Sequence, residues 1–315
     1  MRTFLARRLL SSLALLYVVA TIIFFLIHLV PGDPALTIVG EEHATPEKLA
    51  VVRAALGLDR PLYVQYATWL ARVVRGDLGR SLVTARPVHQ DLGLRLPRTF
   101  ELIAAAVALA VLIGVPLGVV AARYHNSSLD MGASVLALVG VSAPVFVTGT
   151  LLVLALSVHW RLLPSSGWMS FAADPAGHVA RLLMPAVVLS FGMSAVIMRM
   201  TRSSLLEVIL QDFIRTARAK GLAERRVLFR HALKNSLIPV VTVIGVQMGN
   251  LLGGSVIVEE VFAWPGVSTY LITGVSQRDY PVVQGVVLVI CLAFVLINLG
   301  VDLLYGFLDP RIKYQ

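Results

Sequence analysis

The sequence predicts an all-α integral membrane protein with six transmembrane helices, and its composition and hydropathy are the first observations that predict this class. Of its 315 residues, 57% are hydrophobic and only 14% are charged, whereas about 25% of an ordinary soluble domain is charged. The mean hydropathy of +0.81 indicates more apolar surface than a water-soluble core can hide. These values exclude an ordinary soluble enzyme. The net charge of +9 therefore indicates contact with a membrane surface before contact with nucleic acid.

Six runs with almost no charged residues are candidates for spans. A helix rises about 1.5 Å per residue, so about 20 apolar residues cross the ~30 Å hydrocarbon layer. The runs are residues 9–30, 102–122, 131–158, 182–198, 237–258 and 282–307, of which the fourth is short. The first run is longer than the ~7–15 apolar residues of a signal peptide, so we interpret it as a transmembrane helix. Three prolines, Pro116, Pro144 and Pro185, are expected to kink or interrupt their spans.

The distribution of Lys and Arg predicts that both termini lie inside the cell. With this orientation, fifteen Lys and Arg residues flank the spans on the inner side and three lie in short outer loops, as the positive-inside rule requires. The predicted organisation is an N-terminal tail with the first span (1–30), an extracytoplasmic helical segment (31–98), a five-helix core (99–307) and a C-terminal tail (308–315).

Three short helices are predicted in the extracytoplasmic segment, because a proline begins each of them and a glycine follows each of the first two. Their ranges are residues 46–56, 61–75 and 87–96, and Pro97 is expected to introduce the second span. We expect a small cap packed on the outer ends of the spans. A docking platform for a soluble partner is the alternative.

The inner loop between the fourth and fifth spans, residues 199–236, is predicted to be a helix, a glycine break and a second helix. Apolar positions that recur every three or four residues predict one buried helical face before the break. They are Leu206, Leu210, Phe213, Ala217 and Gly221. After Gly221, the cations Arg226, Arg230 and Lys234 recur every four residues on one side. Pattern alone favours a basic segment that lies on anionic lipid headgroups.

The residues of this loop also resemble those of a known family. Residues 212–222 (DFIRTARAKGL) and 231–239 (HALKNSLIP) closely resemble the EAA loop of ABC-importer permeases, and more narrowly the dipeptide, oligopeptide and nickel branch. Four further stretches agree with that branch in the same order. They are HLVPGDP at 28–34, RLPRTFE at 95–101, VFAWPG at 261–266 and LDPR at 308–311. The loop departs from the general pattern at Arg215, Thr216 and Ala217, where many members have Glu-Ala-Ala.

The resemblance implies a type I ABC-importer permease bundle in the plasma membrane of a bacterium, acting as the permease subunit of an ATP-driven importer of short peptides. Nickel or another small solute is the alternative substrate. The implied partners are a second, homologous permease subunit, two ATP-binding subunits, an extracytoplasmic solute-binding protein and the lipid bilayer, but not nucleic acid. The chain would be no enzyme and hold no cofactor or metal, because ATP and Mg would bind to the partner ATPase subunits. Its sequence indeed carries neither a G-x-x-x-x-G-K-[ST] phosphate loop nor an H-E-x-x-H zinc motif.

By resemblance, the inner loop contains a coupling helix that sits in a groove of an ATP-binding subunit. We expect Arg218 and Lys220 to pair with acidic groove residues, and Phe213 and Leu222 to act as apolar anchors. The full set of predicted coupling residues is Phe213, Arg215, Thr216, Ala217, Arg218, Lys220, Gly221 and Leu222.

The fifth span is predicted to have a packing face and a path-lining face. Small residues at four-residue spacing allow close approach of another helix, either inside the subunit or from the partner permease. They are Gly245, Gly249 and Gly253. Polar side chains elsewhere on the span are predicted to line the translocation path, with simple bonding to neighbouring helices as the alternative. They are Gln247, Asn250 and Ser255.

The loop after the fifth span is predicted to contact the binding protein, since the corresponding region reaches that partner in related importers. The predicted contacts are Glu259, Glu260, Trp264, Pro265 and Gly266, and ordinary packing of Trp264 is the alternative. The charges within the spans, Glu101 and Asp302, lie near span ends. This placement speaks against a proton-coupled carrier. An ATPase-independent channel or carrier and a membrane anchor are the other functional classes.

Overall fold

The computed structural model describes residues 2–29, 35 and 45–308, which are mainly helical. The helices are α1 (Arg2–Leu29), α2 (Pro46–Leu56), α3 (Leu62–Val74), α4 (Val88–Arg123), α5 (Ser128–Ser142), α6 (Val145–Leu152), α7 (Pro175–Ile209), α8 (Asp212–Ala219), α9 (Glu224–Arg226), α10 (Leu233–Val261), α11 (Val267–Ser276) and α12 (Tyr280–Leu308). A π-helical stretch, Val153–His159, continues α6, and another, Val227–Ala232, joins α9 to α10. Most of the family-like stretches at 28–34 and 308–311, and most of the predicted tail at 308–315, lie outside the described residues.

Five helices in this part of the chain are long and apolar enough to cross a membrane, and a bent pair is a sixth candidate. The pair consists of α5 and α6 with its π-helical continuation, and it bends by 103°. The span predicted at 131–158 is thus a bent pair of helices, and the interruption expected at Pro144 is confirmed. Ala143 is extended (φ −73°, ψ 122°) and Pro144 precedes α6, because the residue before a proline avoids the helical region.

Two predicted boundaries are wrong because hydropathy and proline signals do not always end a helix. The separate helix predicted at 87–96 is the first part of α4, which continues through Pro97. Pro97 cannot donate to the Gly93 carbonyl, but Gly93 is exposed, so water can satisfy that carbonyl. Likewise, α7 extends beyond the short span predicted at 182–198, since the charges that follow end the apolar run without ending the helix.

The short helices α2 and α3 confirm the predictions for residues 46–56 and 61–75. Each ends before a glycine with positive φ, Gly57 at +70° and Gly76 at +81°, a conformation that costs glycine little. Pro61 occupies the N-cap of α3. These boundaries are set by the local sequence.

The contacts divide the chain into two compact units, of which the first contains residues up to Arg98 and Pro265–Val295. In one of its apolar clusters, Phe24 of α1 packs against Trp69 of α3, with ring centroids 5.3 Å apart. In another, the first turns of α4 pack with α11 and α12 through Val88, Tyr270 and Val286. The first unit is thus held together by side chains that are distant in sequence.

Two buried carboxylates link segments of the first unit that are far apart in the sequence. Asp279 accepts hydrogen bonds from Ser81 Oγ at 2.5 Å and from the Leu82 amide at 3.1 Å. Asp91 accepts one from the Tyr270 hydroxyl at 3.3 Å. Burial, and then the nearby Asp91 carboxylate, raise the pKa of Tyr270 above its ordinary value, so the phenol stays protonated as a donor.

The second unit contains Thr99–Trp264 and residues from Leu296 onward, and α4 approaches α7 closely in it. A Cβ added at Gly114 would lie 2.7 Å from the Ser194 carbonyl oxygen. One added at Gly118 would lie 2.6 Å from Thr201 Cβ. The two glycines are four residues apart, the spacing that brings helices together in membranes. The sequence analysis did not single out this pair.

We predict that Gly114→Ala destabilises the protein, because the new methyl group meets backbone that cannot move alone. The expected loss is about 1–3 kcal/mol in the free energy of unfolding. Thermal unfolding of the purified chain in detergent measures it. The matched control is Gly132→Ala in α5, where nothing lies within 4 Å and the helix gains from alanine. Equal midpoints for the two variants would contradict the close packing.

Candidate functional site

The short helix α8, which carries the centre of the predicted coupling loop, has one buried and one exposed face. Ile214 has no exposed surface and Ala217 is also buried. Both belong to an apolar cluster with residues of α4, α7 and the π-helical stretch, namely Val119, Ala122, Leu205, Val208, Val227, Leu228 and Ala232. We call this the coupling cluster. A two-turn helix is not stable alone, so the coupling cluster is what holds α8 in place.

The predicted apolar stripe from Leu206 to Gly221 is wrong. α7 ends at Ile209 and α8 begins at Asp212, so the helical phase is lost between them. Leu210 is 71% exposed and Phe213 is 40% exposed. The exposed side of α8 therefore presents Phe213 together with Arg215, Thr216 and Lys220, which all lie at the surface.

The predicted glycine break and second helix are confirmed. Gly221 has a φ of +76°, and α9 starts at Glu224 and runs through the π-helical stretch into α10 without interruption. Leu222 is half-buried and packs on the coupling cluster. Arg226, Arg230 and Lys234 are exposed, as their spacing predicted.

Arg218, one of the predicted ATPase contacts, has a partner in its own chain. Its Nε and Nη2 atoms donate to the two carboxylate oxygens of Glu224 at 3.1 and 2.7 Å. This hydrogen bonding raises the pKa of Arg218 further above its ordinary value, so the guanidinium stays charged. Arg218 is among the residues predicted from the sequence, whereas its partner Glu224 is not.

Two of the three glycines in the predicted packing face of α10 are buried, and the third is exposed. Gly245 and Gly249 are buried, and Gly245 lies against Val301 of α12. Gly253 is exposed with nothing within 4 Å of an added Cβ. Asn250 is exposed and donates to Gln247 Oε1 at 3.1 Å. The two amides thus form a polar pair on the surface of the chain.

One predicted path residue, Ser255, and two predicted binding-protein contacts, Glu259 and Trp264, have no accessible side chain. Ser255, Glu259 and Trp264 are fully buried. Glu259 accepts a hydrogen bond from Thr99 Oγ1 at 2.8 Å, and its Oε1 lies 3.4 Å from Ser255 Oγ. Trp264 packs in an apolar cluster with Leu102 and Phe262. The structure therefore favours the ordinary packing of Trp264, while Glu260 is exposed and Pro265 half-buried. Gly266 is buried as well.

A buried ion pair at one end of α5 and α7 escaped the sequence analysis. Arg202 donates to both carboxylate oxygens of Asp130 at 2.6 and 2.8 Å. The Asn126 amide donates to the same carboxylate at 3.0 Å, and His125 Nδ1 lies 3.0 Å from it. No sequence signal links residues 72 positions apart.

Glu101, expected to be satisfied locally near a span end, lies 2.7 Å from Nε2 of the buried His178. His178 Nδ1 lies 2.6 Å from the Met169 carbonyl oxygen, to which it donates. This contact joins the start of α7 to α4.

Comparison with known proteins identifies the family. A family model described as the binding-protein-dependent transport system inner membrane component matches residues 114–314, and a model of the N-terminal part of such membrane components matches residues 1–103. The chain belongs to this family of ABC-importer permeases. The permease is a multi-pass protein of the bacterial inner membrane and a transport subunit rather than an enzyme. Binding-protein-dependent import implies ATPase and solute-binding partners.

The permease is similar to proteins of the peptide branch over its full length. It is 42% identical over 338 aligned residues to the dipeptide transport system permease protein DppB of Escherichia coli (strain K12). It is also 42% identical over 315 residues to the glutathione transport system permease protein GsiC of Salmonella choleraesuis (strain SC-B67). Each alignment covers 100% of both chains.

The fold is similar to that of a chain in the inward-facing MetNI methionine ABC transporter. The TM-score is 0.59 at 19% identity, and the match covers 70% of this permease and 97% of that chain. At this level of identity the likeness concerns the fold alone.

We predict that Arg202→Ala destabilises the permease, because Asp130 would keep a buried charge without its partner. The expected loss is about 2–3 kcal/mol in the free energy of unfolding, which is below that of a fully buried pair because the Arg202 side chain is 26% exposed. Thermal unfolding in detergent measures it. Arg199→Ala, at an exposed position of the same helix, is the control. The same midpoint in both variants would show that the ion pair contributes nothing.

Proposed function

We propose that this permease forms half of the translocation path of an ATP-driven peptide importer and is moved by separate ATP-binding subunits through α8. The observation that carries the proposal is the two-sided character of α8. Its buried side is fixed to the coupling cluster, whereas its exposed side presents Phe213, Arg215 and Lys220. Aromatic and Arg side chains are enriched at protein interfaces, and Lys220 can add a charge at the rim.

The proposed assembly contains a second, homologous permease, two ATP-binding subunits and an extracytoplasmic solute-binding protein. The bent pair α5–α6 counts as one of six spans, and both termini lie in the cytoplasm, as the distribution of Lys and Arg favours. α8 then faces the cytoplasm, where ATP and Mg bind to the partner subunits. Closure of those subunits would push on α8 and shift the bundle between inward and outward access.

Gln247 and Asn250 are the proposed path residues of this chain. Their paired amides carry donors and acceptors that match the backbone groups of a short peptide. Peptides are favoured over nickel because the similar DppB and GsiC permeases are named for dipeptide and glutathione transport. Glu260 is the exposed residue that remains for contact with the binding protein.

We predict that Phe213→Asp reduces the amount of co-expressed ATP-binding subunits that co-purify with the permease. A charge at the centre of an interface costs at least a tenfold loss of affinity, or about 1.4 kcal/mol. Quantitative pull-down in detergent measures it. Phe171→Asp is the control, since Phe171 is also exposed, at 58%, but lies in the proposed outer loop. Full co-purification of the Phe213 variant would contradict the coupling role of α8.

We predict that Gln247→Ala lowers dipeptide uptake about three- to tenfold, the effect of one lost hydrogen bond, while the complex still assembles. Uptake of labelled dipeptide by proteoliposomes that contain the complete importer measures the first effect, and pull-down measures the second. Val246→Ala, at the exposed neighbouring position, is the control. Uptake equal to that of the control would show that Gln247 does not line the translocation path.

A further inference from the structure

The turn that joins α8 to the following helix is bridged by the ion pair of Arg218 and Glu224. Arg218 lies in the last turn of α8, and Glu224 is the first residue of α9. The two planar groups meet side by side, at 3.1 and 2.7 Å. This paired geometry fixes orientation as well as distance. The pair thus connects the two sides of the turn at Gly221, whose positive φ only glycine adopts at little cost.

Each charge of this pair lies at the helix end that favours it. The C-terminal end of a helix attracts cations and the N-terminal end attracts anions. Each of the two charges is therefore stabilised both by the helix end at which it lies and by the opposite charge of its partner. The two side chains therefore lose little additional freedom when they form the pair.

The ion pair and the coupling cluster hold the turn at two different places. The cluster is buried and contains Ile214 of α8 together with Val227 and Leu228 from the second arm. The ion pair is exposed, with 41% and 56% of the two side chains accessible. An exposed pair adds little to global stability. Its effect is to fix the angle between two arms that already share an apolar contact.

We infer that Glu224 is a positioning residue that sets the coupling helix through Arg218, and that Arg218 does not itself contact the ATPase. This inference rests on the proposed function, and it leaves Arg215 and Lys220 as the cations that face the acidic groove. A push on α8 then reaches α10 through a rigid turn. Loss of the pair lets the turn bend, so ATP is hydrolysed without proportionate movement of the spans.

The experiment uses the complete importer in proteoliposomes and measures dipeptides imported per ATP hydrolysed. In Glu224→Gln and in Arg218→Glu, we expect this ratio to fall about fivefold, the shift of a two-state equilibrium when one exposed ion pair is lost. Co-purification of the ATP-binding subunits and the thermal midpoint stay at wild-type values. The exchanged double variant Arg218→Glu/Glu224→Arg recovers part of the ratio. The control is Arg225→Glu, a charge reversal at an adjacent exposed position.

The possible outcomes separate this inference from the function on which it rests. If the wild-type permease does not bind ATP-binding subunits, the proposed function is wrong and the inference is wrong with it. If the wild type binds them but Arg218→Glu loses them and Glu224→Gln does not, Arg218 contacts the ATPase directly and only the inference is overturned. An unchanged import ratio in Glu224→Gln, or no recovery in the exchanged variant, also overturns it.

Discussion

The close approach of α4 and α7 at Gly114 and Gly118 is the constraint on which the second unit depends. Neither glycine could carry a side chain without moving backbone or Thr201 in α7. Because these two helices are so close, their next turns bring Val119 and Leu205 into one buried cluster. α8 packs on that cluster through Ile214 and Ala217. The position of α8, the proposed coupling helix, therefore follows from a contact between two spans rather than from the loop itself.

This arrangement fits the proposed role of a short and strongly basic loop in transmitting force. α8 has only eight residues, too few to be stable in isolation, and it is held by Ile214 and Ala217 from beneath. The second arm continues as one uninterrupted helical rod from Glu224 to Val261. In the proposed mechanism, a displacement of α8 would therefore reach a span through continuous helix. The exposed cations and Phe213 remain available for a partner.

Several buried polar groups join one helix to another. Asp130 with Arg202, Glu101 with His178, and Thr99 with Glu259 each connect residues of two different helices. In hydrocarbon an unpaired charge is costly, so each of these groups specifies which helices are neighbours. Their role in this structure is to position helices, which fits the proposed permease, whose energy would come from a partner's ATP rather than from an ion gradient.

The sequence by itself determined the membrane class, the family and the helix boundaries that depend on local chemistry, such as those at Gly57, Gly76, Pro144 and Gly221. These features follow from backbone preferences and total apolar length, which need no knowledge of neighbours. Only the tertiary structure decided that Phe213 is exposed while Ile214 is buried, that Glu259 and Trp264 are inaccessible, and that Gly114 and Gly118 form a tight contact. Burial of a given side chain depends on which helix packs against it, and on a membrane helix every apolar face satisfies the sequence pattern equally well.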